Sequence, residues 1–186
     1  MTTTASETTT STWNIDASHS TIEFSAKHMM ITTVKGRLAD ARGTLAIDEA
    51  NPANSAARVE FDAKSIDTRS EQRDQHLRSG DFLDVEQFPT ISFASRRVEG
   101  ASATPGAEFR VVGDLTIRGV TKEIVLDATY EGRGRDPWGG ERVSFSASAK
   151  IDRREFGLVW NAALETGGLL VSNDVRINLE VQAVRA

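Results

Sequence analysis

The stretch VSFSASAKI, residues 143–151, decides the reading of the fold. Val143, Phe145, Ala147, Ala149 and Ile151 take every second position, and Ser144, Ser146, Ser148 and Lys150 the places between. Successive side chains of a β-strand point to opposite faces, so this spacing makes one face apolar and the other polar. It describes a half-buried antiparallel strand. A parallel strand, covered on both faces, would show an unbroken apolar run and a long helix after it.

The same rhythm returns on either side. Val175, Ile177, Leu179, Val181 and Ala183 alternate with Arg176, Asn178, Glu180 and Gln182. Phe109, Val111, Gly113, Leu115 and Ile117 alternate with Arg110, Val112, Asp114, Thr116 and Arg118, and shorter runs are centred on Phe61 and Phe24. Less regular strands fit residues 34–47, 91–98 and 123–130. Asn51-Pro52, Thr104-Pro105-Gly106 and Asp136-Pro137-Trp138-Gly139-Gly140 supply the turn residues between them; Gly119 reads as a hairpin residue and Trp138 as a surface one. About eight antiparallel strands with short connections make an all-β sandwich or a closed barrel; closure removes the exposed edges that invite aggregation.

Two segments break the rhythm. Thr68 to Ser79 opens with Thr68 and Glu71 at capping-box spacing and precedes Gly80, a left-handed stop, so a short helix is expected. Leu77 is its one strongly apolar residue, and a position across one barrel end would explain what holds it. Residues 152–174 carry Phe156, Leu158, Val159, Trp160, Leu164, Leu169 and Leu170 among glycines, without periodicity. Long apolar loops are often functional, and this one is expected to be a second lid.

Composition narrows the function. The 186 residues fit one domain, and 39% apolar residues can bury a core. Net charge is −5 with both signs interspersed, so no basic patch exists for nucleic acid or anionic membrane. Arg96-Arg97 and Arg153-Arg154, the longest basic clusters, read as solvated strand ends. The absence of cysteine excludes disulfides and thiolate chemistry. No apolar run suggests a membrane span, and MTTTASETTTST, residues 1–12, has neither the charged nor the apolar part of a secretory signal. It reads as a disordered tail before a domain spanning residues 13–186, with a cytoplasmic location expected.

Of three histidines, His19, His28 and His76, none lies at metal-ligand spacing, and no metal site or cofactor is expected. No serine sits in a nucleophile elbow. His28 continues the inward parity of Ile22, Phe24 and Ala26, which leaves three roles open: a structural hydrogen bond, contact with a ligand's polar end, or chemistry. Trp160, among apolar loop neighbours, reads as a pocket wall.

Taken in order, WNIDASHSTIEFSAKH (13–28), VKGRLADARGTLAID (34–48), SIDTRSEQRDQHLRSGDFLDVEQFPTISFAS (65–95), GDLTIRGVTKEIVL (113–126), IDRREFGLVWN (151–161) and VSNDVRINLEVQA (171–183) carry a resemblance. The chain resembles the YceI-like family of polyisoprenoid-binding proteins with a lipocalin-like fold. The resemblance implies an eight-stranded antiparallel barrel, closed in part by the helix and loops, whose elongated apolar interior holds an isoprenoid tail or other amphiphile. It also makes a homodimer reasonable. The small inward residues Ala26, Gly113, Ala147 and Ala149 agree, since they would leave volume unfilled.

The expected function is therefore a binding or carrier protein for an isoprenoid, quinone-like or fatty molecule, and not an enzyme. Its tail would lie along Phe24, Leu38, Phe61, Phe93, Leu115, Phe145 and Trp160, and its polar head would meet His28, Arg73 or His76. The alternatives are a barrel enzyme with His28 as general base and a structural protein with a filled core.

Overall fold

The computed structural model describes residues 10–186. Its strands are β1 (Thr10–Ile15), β2 (Thr21–His28), β3 (Thr32–Leu38), β4 (Arg42–Asp48), β5 (Ala56–Asp62), β6 (Thr90–Glu99), β7 (Glu108–Ile117), β8 (Val120–Arg135), β9 (Glu141–Asp152) and β10 (Asp174–Arg185), with helix α1 (Glu71–Arg78) between β5 and β6. All pairings are antiparallel, in the order β1-β4-β5-β6-β7-β8-β9-β10-β2-β3, and β1 also pairs with β10, which closes the sheet.

Ten strands occupy eight places in the ring. Both β1 and β2 pair with one edge of β10, β1 against Ala183–Arg185 and β2 against Arg176–Glu180, so they lie end to end. Their partners β4 and β3 lie end to end in the next place. The single strand expected over 34–47 is split because Asp40 adopts a left-handed conformation (φ 56°), which a short polar side chain tolerates.

Cross-strand register puts apolar residues opposite apolar ones, so every inward row continues into its neighbour: Val181 faces Phe145, Ile177 faces Phe24, and Phe93 faces both Val59 and Leu115. Gly119 does turn a hairpin. With Arg118 (φ 49°) and Gly119 (φ 71°) both left-handed, β7 and β8 are joined by a two-residue turn that matches strand twist.

Three expectations need correction. The strand begins within the expected tail: residues 10–12 pair with β4, and buried Ser11 accepts a hydrogen bond from Trp13 Nε1 at 2.8 Å. The rest of that tail, residues 1–9, lies outside the described residues. The helix starts at Glu71, not Thr68, and Thr68 does not cap it. Instead the buried carboxylate Asp74 accepts from Thr68 N–H (2.9 Å) and Oγ1 (2.5 Å), since a buried acceptor must find donors. Nor is Gly80 left-handed; helix α1 ends on Ser79 in extended conformation, and Asp84 (φ 49°) turns the chain.

Helix α1 is held mainly by polar bonds, as its composition requires. Arg73 donates to Thr68 Oγ1 and Thr68 O, and Arg78 to Lys64 O and Ile66 O. Together with residues 153–173 it lies at the barrel end where β5, β7 and β9 finish.

Candidate functional site

A cavity of about 540 Å³ runs along the barrel. Phe24, Leu38, Phe61, Phe93, Leu115 and Phe145 line it, as inward parity requires, together with Ala26 and Ala147. Gly113 leaves no free volume: a Cβ there would lie 2.8 Å from Phe93 Cε2, so the Phe93 ring already fills the place. Ala149 packs with the core beside the cavity.

The other four residues singled out do not line the cavity. The inward row of β2 ends at Ala26, because the returning loop crosses there: Val171 bridges to His28, and Met29 N–H donates to Leu170 O. His28 is thus half-buried outside the cavity, not the interior group that parity suggested. Arg73 is spent on Thr68. His76 and Trp160 form an aromatic plate behind Phe82. The His76 ring meets Phe82 edge-on at 5.1 Å and Trp160 at 4.6 Å, and His76 Nε2 lies 2.8 Å from Asp81. Phe82 itself lines the cavity. Trp138, at 88% exposed, is a surface residue as expected.

Helix and loop seal one end. Ile66, Phe82, Leu83 and Leu158 line the cavity there and are all buried. Exposed lining residues gather at the opposite end: Glu49, Ala56, Ser102, Ala103 and Arg133, from the β4–β5 and β6–β7 connections, the start of β5 and β8. This is the mouth. Arg133 spans it, paired with Glu49 at 3.1 Å and lying 5.7 Å from the Trp13 ring centre. Asp48, buried beneath the rim, accepts from Asn51 N–H, Asn54 Nδ2 and Ala50 N–H, which holds its carboxyl below the usual range.

The pair Arg153-Arg154 divides between two environments. Arg154 is exposed and grips Asp152, whose carboxyl is lowered to about 2 by that hydrogen bond. Arg153 is only 3% exposed, lines the sealed end, and corrects the expectation of a solvated strand end. Its Nε donates to Ser172 O (2.9 Å) and its Nη1 to Leu158 O (2.6 Å) and Trp160 O (2.9 Å), while Nη2 has no partner. Burial pushes its pKa down from the ordinary arginine value. The signal was present in the sequence: Val143, Phe145, Ala147, Ala149 and Ile151 lead to Arg153 in steps of two.

Potential chemistry elsewhere is sparse. Asp16, Ser18 and His19 are in mutual contact, but His19 uses the same nitrogen, Nδ1, toward both Ser18 Oγ (3.0 Å) and Asp16 (2.8 Å). A relay needs one ring nitrogen for each partner. This cluster instead anchors the break between β1 and β2, with Arg142 bridging Asp16 and Asp136 at 2.8 and 2.9 Å. Among the described residues, no group of three His, Asp or Glu side chains is placed to hold a metal, and no helix is long and apolar enough to cross a membrane.

Comparison with known proteins agrees with this architecture. The YceI-like domain matches residues 13–183. A UPF0312 protein of Pseudomonas aeruginosa is 36% identical over 170 residues, covering 91% of this chain and 84% of its own. The Campylobacter jejuni YceI protein superposes with a TM-score of 0.72 at 30% identity, over 86% of this chain and 90% of that one. A polyisoprenoid binding domain from Saccharophagus degradans, implicated in plant cell wall breakdown, superposes at 0.70 with 13% identity, over 94% and 98% of the two chains. The chain belongs to the YceI-like domain family.

Proposed function

We propose that this chain binds a long-chain apolar molecule, an isoprenoid, quinone-like or fatty compound, along its barrel axis, and that it holds its ligand without transforming it. The observation that carries this is the cavity of about 540 Å³, walled by apolar rows and open at one end. That volume falls within the range of about 300–1,000 Å³ typical of small-molecule sites. Each buried methylene contributes about 0.8 kcal/mol. Association costs about 4–15 kcal/mol, so a long tail is needed and a short one would not suffice.

Support also comes from the fold shared with the Saccharophagus polyisoprenoid binding domain. Against catalysis stands the position of His28, the general base of the enzyme alternative, outside the cavity. The filled-core alternative conflicts with the cavity itself. A homodimer and a cytoplasmic location belong to the same proposal and are tested by light scattering and by cell fractionation.

Native mass spectrometry of freshly purified protein, followed by organic extraction, tests the central reading. One apolar small molecule per chain is expected. Protein that carries none and takes up no added farnesol or longer prenyl alcohol would overturn it.

A further inference from the structure

We infer that the sealed end of the barrel contains a head-group subsite, in which Arg153 receives an anionic oxygen of an amphiphile whose tail runs toward the mouth. The inference rests on the binding function proposed above and assigns the ligand's chemistry and direction.

A guanidinium has five N–H donors. In Arg153, Nε and Nη1 account for three through the carbonyls of Ser172, Leu158 and Trp160, and the two on Nη2 are unused. Those carbonyls fix the orientation of the guanidinium but do not neutralise its charge. Among the described residues no carboxylate lies within 4.0 Å of it: Asp152, its sequence neighbour, is turned to Arg154. A buried charge without a counter-ion is unfavourable, and an incoming anion relieves it with a charge-assisted bond.

The other charged groups lining the cavity are already matched. Asp48 has three donors, and Arg133 has Glu49 and Glu141. Arg153 alone, of the charged lining residues with partners described here, combines near-complete burial with an unpartnered nitrogen. Since Nη2 is closed to solvent, an oxygen reaches it only when a neighbouring group shifts. Carboxylates and phosphates share the required chemistry.

The test displaces the neutral fluorophore 1-N-phenylnaphthylamine from the full chain with oleate, farnesyl phosphate or 1-octadecene. Oleate or farnesyl phosphate should bind about tenfold or more tightly than 1-octadecene, as expected for a charge-assisted hydrogen bond. The better of the two anions identifies a carboxylate or a phosphate as the preferred head. Arg153→Met should abolish the preference, and Arg154→Gln should retain it. Should Arg153→Met fail to fold, the side-chain ¹⁵N resonances of Arg153 in the unaltered protein should move with oleate and not with 1-octadecene. Equal binding of anion and hydrocarbon would overturn the subsite and leave the carrier function standing, whereas displacement by none of the three would overturn the carrier function. Loss of preference in Arg133→Gln with retention in Arg153→Met would put the head group at the mouth and also overturn the inference.

Discussion

Replacing Gly36 with alanine should destabilise the protein through Phe24. Gly36 on β3 lies opposite Phe24 on β2, and a Cβ there would sit 2.7 Å from Phe24 Cε1, closer still to Cζ, and 2.8 Å from Thr68 Cγ2. Carbon atoms prefer about 3.5–4.0 Å, so the ring must swing or the strands must part. Overpacking of this kind costs about 1–3 kcal/mol. The backbone at Gly36 is not left-handed, so alanine would otherwise stabilise by about 0.4–1 kcal/mol through the unfolded chain. The expected net loss is about 1–2 kcal/mol, or roughly 2–8 °C in Tm for a domain of this size. In a Phe24→Ala background the two nearest obstacles are gone and the Thr68 methyl remains, so the cost of Gly36→Ala should shrink by about 1 kcal/mol or more. Urea unfolding followed by tryptophan fluorescence measures all four corners of the cycle. Equal costs in both backgrounds would refute the reasoning, because Phe24 would then not occupy the space above Gly36.

Phe156, fully buried, should lose about 3–5 kcal/mol on truncation to alanine, while Phe145, which faces the cavity, should lose clearly less; equal losses in denaturant titrations would mean that the cavity is packed. The Asp16 carboxyl is held well below its usual range, first by its hydrogen bond from Ser18 and then by Arg142. A lowered folded-state pKa contributes stability that is full above the unfolded value of about 3.9 and is lost as pH falls through the folded one. Asp16→Asn should therefore flatten the acid limb of a Tm-against-pH curve, and parallel curves for variant and parent would contradict this. Ala103→Trp at the mouth should slow fluorophore entry in stopped-flow mixing, whereas Val159→Trp at the sealed end should not; the reverse result would exchange the two ends.

The strands with strict alternation were legible because each buries one face, and that local pattern survives any tertiary arrangement. The same periodicity extended one step too far at His28, where the loop crossing at Val171 ends the inward row of β2. It was stopped one step too early at Arg153, where a double arginine suggested solvent. Strand β1 hid in a threonine-rich segment because its partners, β4 and β10, are distant in the chain. The cap of α1 was misread because Asp74, inside the helix, competes for Thr68. At His28, Arg153 and β1 the deciding partners are distant in the chain, whereas Asp74 lies within the helix itself.

The end-to-end arrangement of β1 and β2 has a consequence for how the barrel forms and opens. Ring closure depends on joining Trp13–Ile15 to Ala183–Arg185, three residue pairs drawn from opposite chain termini, whereas β9 and β10 share eleven. A contact of such long sequence separation is slow to form and has the least redundancy once made. Closure should therefore be a late folding step, and the first amides to exchange among the strands should be those along β1.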